Sequence, residues 1–388
     1  MAERTLKMSA YDLGSVESDS PNVSENEVES PAVAVVDAGA VAQSDGGNAS
    51  ATVGPNTKQE EKNVTGDESD SLENCAFVQQ ESARKFQKVD NHTRVVATHY
   101  NALEEKGLAE RSKSRIFYMR NFNNWIKSML INEYLSKVKD QLKLGEPLRV
   151  LDMCCGKGGD LLKWDKANIT HLICTDIAEM SIEQCETRYK TMKDRGQRNS
   201  FSRLFTAEFF ACDSTLNRLR EHYKDPSIEL NLVSCQFAFH YCFESLKQAE
   251  CMIRNASECL RTGGYFIGTI PDANDIMRRQ KQAESNVFGN DLYKITFLCD
   301  TESPPLFGAK YNFELDGVVN CPEFLVHFPL LVKLARKFGL ELVMKERFED
   351  YFDRNIQSPG CKQSQTFSLS KTFLNRLFHF QPKDCSRK

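Results

Sequence analysis

The sequence predicts an α/β fold, a doubly wound and mostly parallel sheet with helices on both faces. Strand and helix patterns alternate through the middle of the chain, which is the order that gives parallel pairing. The first strand breaks into a glycine-rich turn, Val150 to Asp160, that opens a helix. Asp176, Asp213 and Gln236 end later apolar strands, so polar side chains should gather at one edge of the sheet.

The elements of this sheet can be placed in order. Thr93–Leu142 is predicted to be helical because its apolar residues recur at three-to-four spacing, and Gly145 with Pro147 stops it. Strands are predicted near 148–154, 171–177, 203–212, 229–237 and 264–270, and helices near 159–166, 179–193, 214–223 and 244–261.

The pattern changes after the fifth strand. Residues 285–321 contain two β-like pieces, Leu292–Leu298 and Lys310–Leu315, which predict an inserted hairpin or lid. A helix near 323–338 and a strand near 340–348 resume the alternation.

The carboxyl-terminal part shows no comparable strand. Its only candidate, Thr366–Ser370, is weak. We therefore expect 351–388 to be an atypical tail, with the final antiparallel strand of the sheet missing and one sheet edge unpaired.

The amino-terminal part differs in composition from the rest. Its first 75 residues hold fifteen Asp/Glu, four Lys/Arg and one aromatic residue, so they carry a charge of −11 and cannot form a core. Since the whole chain carries −4, the remainder carries +7, which favours a polyanionic partner. We expect a disordered acidic tail over 1–90, followed by one domain over 91–350.

Cysteine usage and hydropathy indicate the cellular environment of the protein. The fourteen cysteines include no C-x-x-C pair, so zinc and disulfides are disfavoured and reduced thiols of an intracellular protein are expected. No secretory or membrane-spanning segment is predicted.

The polar strand ends predict a nucleoside site. Asp176 lies about 20 residues after the glycine turn, where a carboxylate accepts hydrogen bonds from both ribose hydroxyl groups. The alternative is that Asp176 caps a helix. Asp213 lies within reach of an adenine amino group, although Asp213 or Ser214 would equally cap a helix. The turn lacks the first glycine of G-x-G-x-x-G, so S-adenosylmethionine fits better than NAD.

Five ordered stretches resemble the eukaryotic mRNA cap guanine-N7 methyltransferases over about residues 95–350. They are Phe122–Lys127, Leu151–Leu161, Thr175–Ala178, Ser234–Tyr241 and Pro322–Val326. The resemblance implies the Rossmann-like fold of S-adenosylmethionine-dependent methyltransferases and methyl transfer to N7 of the cap guanosine.

The resemblance also implies residue roles. Lys127 would pair with the cofactor carboxylate and Asp176 would hold the ribose. The other expected cofactor residues are Asp152, Cys154, Gly156, Asp213, Ser214, Gln236 and Tyr241. For the cap it implies Asn123, Asn124, Lys157, Lys163, Arg188, His240 and Glu323. Lys163 and Arg188 would otherwise be solvated helix residues, and His240 a core histidine.

The reaction needs no acid or base, because guanine N7 has a free lone pair and loses no proton. Catalysis would rest on orientation by His240, Tyr241 and Glu323, and Glu323 would accept hydrogen bonds from the guanine N1 and N2 groups. No metal is implied.

Cys154 departs from the family, which usually has glycine there, so we expect its side chain to weaken cofactor binding without abolishing it. The stretch Arg111–Phe122 is basic and aromatic; it would either track RNA or lead into a packed helix. Two other functions stay open, a small-molecule methyltransferase and an attenuated or inactive cap-binding regulator.

The resemblance further implies capped pre-mRNA or mRNA as partner, a nuclear location, and a small activating subunit together with the transcription and capping machinery.

Overall fold

A computed structural model of the chain describes residues 92–103, 110, 112–198, 204–356 and 375–383, and the backbone of 5–8 and 364–368. Most of the predicted acidic tail, 1–90, lies outside these residues. Within it, Thr5–Met8 (β1) forms a strand antiparallel to Ser364–Ser368 (β12), so these four residues do not follow the predicted disorder. In the described ranges, no helix combines the length and apolar character that a bilayer crossing requires.

Seven strands form the main sheet. They are β2 (Arg149–Met153), β3 (His171–Asp176), β4 (Thr206–Ala211), β5 (Leu230–Gln236), β6 (Leu260–Pro271), β11 (Leu340–Arg347) and β13 (Asn375–Pro382). Their spatial order is β11-β13-β6-β5-β2-β3-β4. The neighbours from β4 through β6 pair in parallel, whereas β13 is antiparallel to both β6 and β11. The predicted doubly wound, mostly parallel sheet of the S-adenosylmethionine-dependent methyltransferase type is confirmed.

The predicted absence of the final strand is wrong. Asn375–Pro382 fills the position between β6 and β11, so the predicted atypical tail over 351–388 contributes a strand to the sheet. The weak candidate near Thr366 is a strand but pairs with β1, outside the main sheet. Because β13 is buried on both faces, its four central residues, Leu377–Phe380, are all buried and, apart from His379, apolar, with no alternating pattern.

Helices cover both faces of the sheet. They are α1 (92–102), α2 (Phe117–Lys139), α3 (Leu161–Lys166), α4 (Glu179–Arg198), α5 (Leu246–Ser257), α6 (Ala273–Ala283), α7 (Phe328–Lys337) and α8 (Phe348–Ile356). The core under α2 contains Phe122, Ile126 and Leu130, and the core under α5 and α7 contains Met252 and Leu331. The strands are therefore shielded on both sides, as parallel sheets require.

Three helix predictions change in the structure. The predicted helix Thr93–Leu142 is interrupted by turns at 113–116, and 214–223 contains turns and a short 3₁₀ segment, Leu219–His222. The predicted helix over 323–338 begins only at Phe328, with proline in its first turn, because proline fits the start of a helix where no donor is needed.

The insertion is a separate antiparallel sheet of four strands. Its order is β10-β9-β8-β7, from Val319–Phe324 (β10), Lys310–Leu315 (β9), Tyr293–Phe297 (β8) and Val287–Gly289 (β7). The two predicted pieces correspond to β8 and β9, so the predicted insertion is confirmed and gains two further strands.

Candidate active site

The glycine-rich turn is fixed to the end of β3 by backbone contacts. The Gly156 N–H donates to Asp176 Oδ2 at 2.9 Å, and the Cys155 N–H donates to the Thr175 carbonyl at 3.0 Å. Cys154 has φ 58°, in the left-handed region that non-glycine residues rarely occupy. A strained backbone at this position is typical of a functional site.

Asp176 is buried, and both of its carboxylate oxygens accept backbone N–H groups, Oδ1 from Ala178 and Oδ2 from Gly156. Burial raises the pKa of this carboxyl, and these two hydrogen bonds counteract it. Each oxygen keeps a second lone pair, so the carboxylate is oriented while still able to accept from a ligand.

Two other strand ends carry buried oxygens without partners among the described residues. Asp213 Oδ1 accepts from the Thr215 backbone and hydroxyl, but Asp213 Oδ2 has no hydrogen bond. Gln236 donates to Ser234 at 3.0 Å, whereas Gln236 Oε1 is unpaired. Because an unpaired buried acceptor costs free energy, such atoms indicate where a ligand supplies donors.

Asp213 lines a narrow space that we call the inner cavity, about 60 Å³ in volume. Ser214, Cys154 and Tyr241 also line it, and α1 closes it through residues that include Val96. The cavity is well below the 300–1,000 Å³ of small-molecule pockets, so a nucleoside fits only if part of its wall moves, and α1 is one such part.

A second space, the aromatic cavity, has a volume of about 250 Å³ and lies under the inserted sheet. Its wall includes three of the seven predicted cap residues, Asn123, His240 and Glu323. Tyr100 Oη, on the wall of this cavity, lies 3.1 Å from Tyr241 Oη, on the wall of the inner cavity. The hydroxyl pair therefore marks the boundary between the two spaces.

Several polar atoms in the wall of the aromatic cavity are either held in place by a neighbour or left without a hydrogen-bond partner. Glu323 Oε2 accepts from the Tyr311 hydroxyl at 2.7 Å, and Glu323 Oε1 lies 3.4 Å from His240 Nε2. The described residues supply no hydrogen bond to either ring nitrogen of His240 or to the buried Asn123 Oδ1. Phe237, at φ 61°, adds an aromatic face to the wall. Aromatic walls with a few directed polar atoms are typical of base recognition.

Lys127 and Lys163 lie in one ion-pair network rather than in separate sites. Their ammonium groups are each 2.9 Å from the Asp160 carboxylate, and Lys163 donates to Asn124 Oδ1 at 2.5 Å. Burial alone would raise the pKa of Asp160, but the two ammonium groups outweigh it and hold that pKa below its usual range. The predicted cofactor lysine and two predicted cap residues are thus neighbours.

Nine of the predicted site residues line neither cavity, and they are Asn124, Lys127, Asp152, Gly156, Lys157, Lys163, Asp176, Arg188 and Gln236. Asp152 is buried and accepts from Trp164 Nε1 at 3.0 Å, and burial next to Asp160 raises its pKa. Lys157 donates to the Leu103 carbonyl beside α1. Arg188 lies on α4, near Cys185.

Sequence reasoning missed several wall residues. Tyr100 and Tyr311 were not predicted, and Glu323 was assigned to a helix although it pairs with Tyr311 across β9 and β10. The alternation around Cys321 and Glu323 was the available signal, since both are buried on one strand. Residues 112–122 match a packed helix lead-in, because Ile116 and Phe122 are buried. RNA tracking by this stretch is still a prediction.

The fold and these two adjoining spaces define an α/β domain whose polar strand ends lie beside an aromatic cavity. Residues 83–371 match the profile of the mRNA (guanine-N(7))-methyltransferase domain. The chain belongs to this family.

Curated relatives agree with this assignment. The mRNA cap guanine-N(7) methyltransferase of Drosophila melanogaster is 64% identical over 267 residues, which are 68% of this chain and 62% of the relative. That of Caenorhabditis elegans is 41% identical over 72% of this chain and 73% of its own length. The chain therefore matches less than two thirds of the fly protein.

Solved structures show a more distant likeness. A methyltransferase of Clostridium acetobutylicum described as S-adenosylmethionine-dependent matches 66% of this chain and 91% of its own, at 14% identity and a TM-score of 0.38. Magnesium protoporphyrin IX methyltransferase of Synechocystis matches 75% and 99%, at 10% identity and a TM-score of 0.42. Likeness at this level is too low to bear on substrate or mechanism.

Proposed function

We propose that this chain transfers a methyl group from S-adenosylmethionine to N7 of the guanosine that caps mRNA. The observation that carries the proposal is the aromatic cavity, where Glu323 and the unpaired polar atoms of Asn123 and His240 face one base-sized space. The relatives named above support the same activity.

The residues at the strand ends fit the cofactor. Asp176 would hold the ribose, and Asp213 with Ser214 would face the adenine, whose amino group would satisfy the unpaired Asp213 Oδ2. Gln236 and Tyr241 would complete the site, and the Gly156 turn would run beside the methionine moiety. Bound S-adenosylmethionine supplies a methyl group on a sulfonium that a nucleophile can attack.

Lys127 would hold the cofactor carboxylate. Its present partner, Asp160, also forms an ion pair with Lys163. Lys127 can therefore turn towards another carboxylate without leaving Asp160 unpaired. Asp152 would support this arrangement by accepting the hydrogen bond from Trp164, which lies next to Lys163 on α3.

Orientation is the main task of the protein, because guanine N7 needs no deprotonation. Glu323 would accept hydrogen bonds from the N1 and N2 groups of guanine, and the Tyr311 hydroxyl holds the Glu323 carboxylate in place. His240 and Tyr241 would fix the plane of the base against the methyl group. Alignment of this kind contributes up to roughly 7–11 kcal/mol in well-ordered systems.

Positive charge near the cavities would hold the cap phosphates. Lys157, Lys163 and Arg188, with Asn124, are the proposed contacts, and such contacts weaken as salt rises. The proposed partners are capped pre-mRNA or mRNA, a small activating subunit and the transcription and capping machinery. The proposed location is the nucleus.

The test is to incubate the purified chain with GpppA-capped RNA and S-adenosylmethionine labelled in its methyl group, then digest the RNA and locate the label. Label at guanine N7 is expected. Label elsewhere, or transfer only to small molecules, would contradict the proposal. Cap-analogue binding without any transfer would identify a cap-binding regulator instead.

A pair of variants ties the activity to the aromatic cavity. Glu323→Gln removes one acceptor and should lower kcat/KM for capped RNA about 5- to 150-fold, as loss of a buried hydrogen bond of about 1–3 kcal/mol implies. Glu314→Gln, on β9 of the same inserted sheet, pairs with Lys294 and is the matched control. Equal loss in both variants would show that the cavity is not the cap site.

A further inference from the structure

Three cysteines from separate elements meet behind the glycine turn. Cys155 lies in the turn, Cys174 in β3 and Cys185 in α4, and their Sγ atoms all lie within 4.8 Å of one another. Cys174 and Cys185 are buried and Cys155 is partly exposed. Among the described residues, no His, Asp or Glu joins this group.

The packing around the group is close because of a glycine. A Cβ atom at Gly158 would lie 2.8 Å from Cys185 Sγ, which is too near for any other residue. The turn thus leaves room for the thiol of α4 directly beneath its backbone.

The spacing of the sulfurs matches a three-coordinate ion. With a metal–sulfur bond of about 2.3 Å, three sulfurs around one cation lie about 4 Å apart. A movement of less than about 1 Å per side chain would bring the present triangle to that size. Soft thiolates select soft cations, whereas the hard ions Mg²⁺ and Ca²⁺ prefer oxygen.

We propose that Cys155, Cys174 and Cys185 form a trithiolate site for a soft, thiophilic cation bound through sulfur alone. The absence of a C-x-x-C pair disfavoured zinc in the sequence, but residues 155, 174 and 185 are brought together only by the fold. The site lies beyond the proposed methyl transfer and does not depend on it.

Binding at the site displaces the thiol protons. A divalent cation replaces the thiol protons, which pass to solvent, and leaves three thiolates around it. Arsenite, As(OH)₃, takes the three thiol protons and releases three waters as three As–S bonds form. Neither reaction requires an oxidant or a reductant.

Occupation of the site would link it to the cofactor turn. Cys155 adjoins Gly156, whose N–H holds Asp176, and Cys174 lies two residues before Asp176. A cation would tie the turn, β3 and α4 together and raise the melting temperature of the domain. It would also change cofactor affinity, and the cofactor would change cation affinity by the same factor.

The test titrates the full chain with Cd²⁺ and, separately, with arsenite. Cadmium binding is followed by the ultraviolet charge-transfer absorption of cadmium thiolate, and arsenite binding by native mass spectrometry. One equivalent of at least one probe should bind. Binding of cadmium alone would indicate a divalent site, and binding of arsenite alone a trivalent one.

Variants assign the binding to the three thiols. Cys155→Ala, Cys174→Ala and Cys185→Ala should each lower affinity at least about ten-fold, because each removes a ligand. Cys259→Ala is the matched control, since Cys259 is buried outside the group. Unchanged affinity in Cys155→Ala or Cys185→Ala would overturn the proposal.

A second measurement needs no variant. In the unaltered chain, one equivalent of the bound probe should slow alkylation of Cys155 by iodoacetamide, read by peptide mass spectrometry, while the partly exposed Cys251 and Cys299 react as before. The proposal would also be overturned if neither probe bound at one equivalent, or if alkylation slowed equally at Cys155, Cys251 and Cys299.

Discussion

At the residue scale, Cys154 combines a strained backbone with a side chain in the wall of the inner cavity. Cys154→Gly removes the side chain from a space of about 60 Å³ and permits the left-handed conformation. Because the Cys154 side chain no longer narrows the cavity, we expect S-adenosylmethionine to bind more tightly by about 1 kcal/mol, roughly five-fold, measured by isothermal titration calorimetry.

Cys154→Ser keeps the Cβ atom and is the matched control, so it should bind the cofactor like the unaltered chain. An equal dissociation constant for Cys154→Gly and the unaltered chain would contradict the prediction. Unfolding temperature should change little, because relief of strain is offset by the greater entropy of glycine in the unfolded chain.

His379 on β13 predicts a pH dependence of stability. Burial, aided by Lys137, lowers its pKa from 6.5 to about 3, and its Nδ1 lies 2.5 Å from the Tyr134 hydroxyl. The folded chain therefore keeps the ring neutral while the unfolded chain takes up a proton below pH 6.5. Its contribution is fully present above that pH and is lost as pH falls towards 3, at up to about 1.4 kcal/mol per pH unit.

His379→Gln should flatten the decline of melting temperature between pH 7 and 5, measured by circular dichroism. His92 should retain part of the slope in this variant, because burial also lowers its pKa to about 4. His222→Gln, at an exposed position, should leave the slope unchanged. Identical slopes in His379→Gln and the unaltered chain would contradict the assignment.

At the element scale, α1 controls access to the inner cavity. It is tied to three other parts of the domain, by the Tyr100–Tyr241 contact, by the Met180 N–H to Asn101, and by His99 near the Val318 carbonyl. Binding of the proposed cofactor in the inner cavity would require these contacts to open.

The expected consequence is kinetic. In stopped-flow measurements, the rate of S-adenosylmethionine binding should level off at high cofactor concentration, since opening of α1 becomes limiting. Tyr100→Phe should raise that plateau about five-fold, because a net hydrogen bond contributes about 1 kcal/mol. Tyr118→Phe, exposed on α2, is the control; a rate that stays linear with concentration would contradict a closed α1.

Element prediction succeeded where a local pattern determined the structure. The strands that end at Asp176 and Gln236 were placed within two residues, because buried parallel strands are apolar runs bounded by polar ones. Asn375–Pro382 has the same kind of run, but its strand character depends on β6 and β11, which are distant in sequence. Glu323 was misplaced because its strand is defined by pairing with Tyr311.

Site prediction shows the same division. Asp213 lies on the inner cavity, Glu323 on the aromatic cavity and Asp176 beside the glycine turn, and these positions follow from strand ends or from the family motif. The contacts of Lys127 with Asp160, of Tyr100 with Tyr241 and of the three cysteines join separate elements. No local spacing in the sequence encodes them.

At the scale of the whole molecule, β13 joins the two sides of the domain. Phe378 is fully buried and its ring lies 5.4 Å from Phe266 and 5.9 Å from Phe239. Phe378→Ala should lower the free energy of unfolding by about 3–5 kcal/mol, measured by urea denaturation. Val343→Ala, on the exposed face of β11, should change it by less than about 0.5 kcal/mol, and similar losses in both would contradict a central role for β13.

The position of β13 also has a consequence for how fast the domain folds. Its pairing with β6 joins residues 271 and 375, so a long stretch of chain must be closed before that ladder forms. Contacts so distant in sequence slow folding, and until they form β6 and β11 each present an open strand edge. The rate-limiting step of folding is therefore expected to be the insertion of this late strand, and newly made chains are most exposed to aggregation before it occurs.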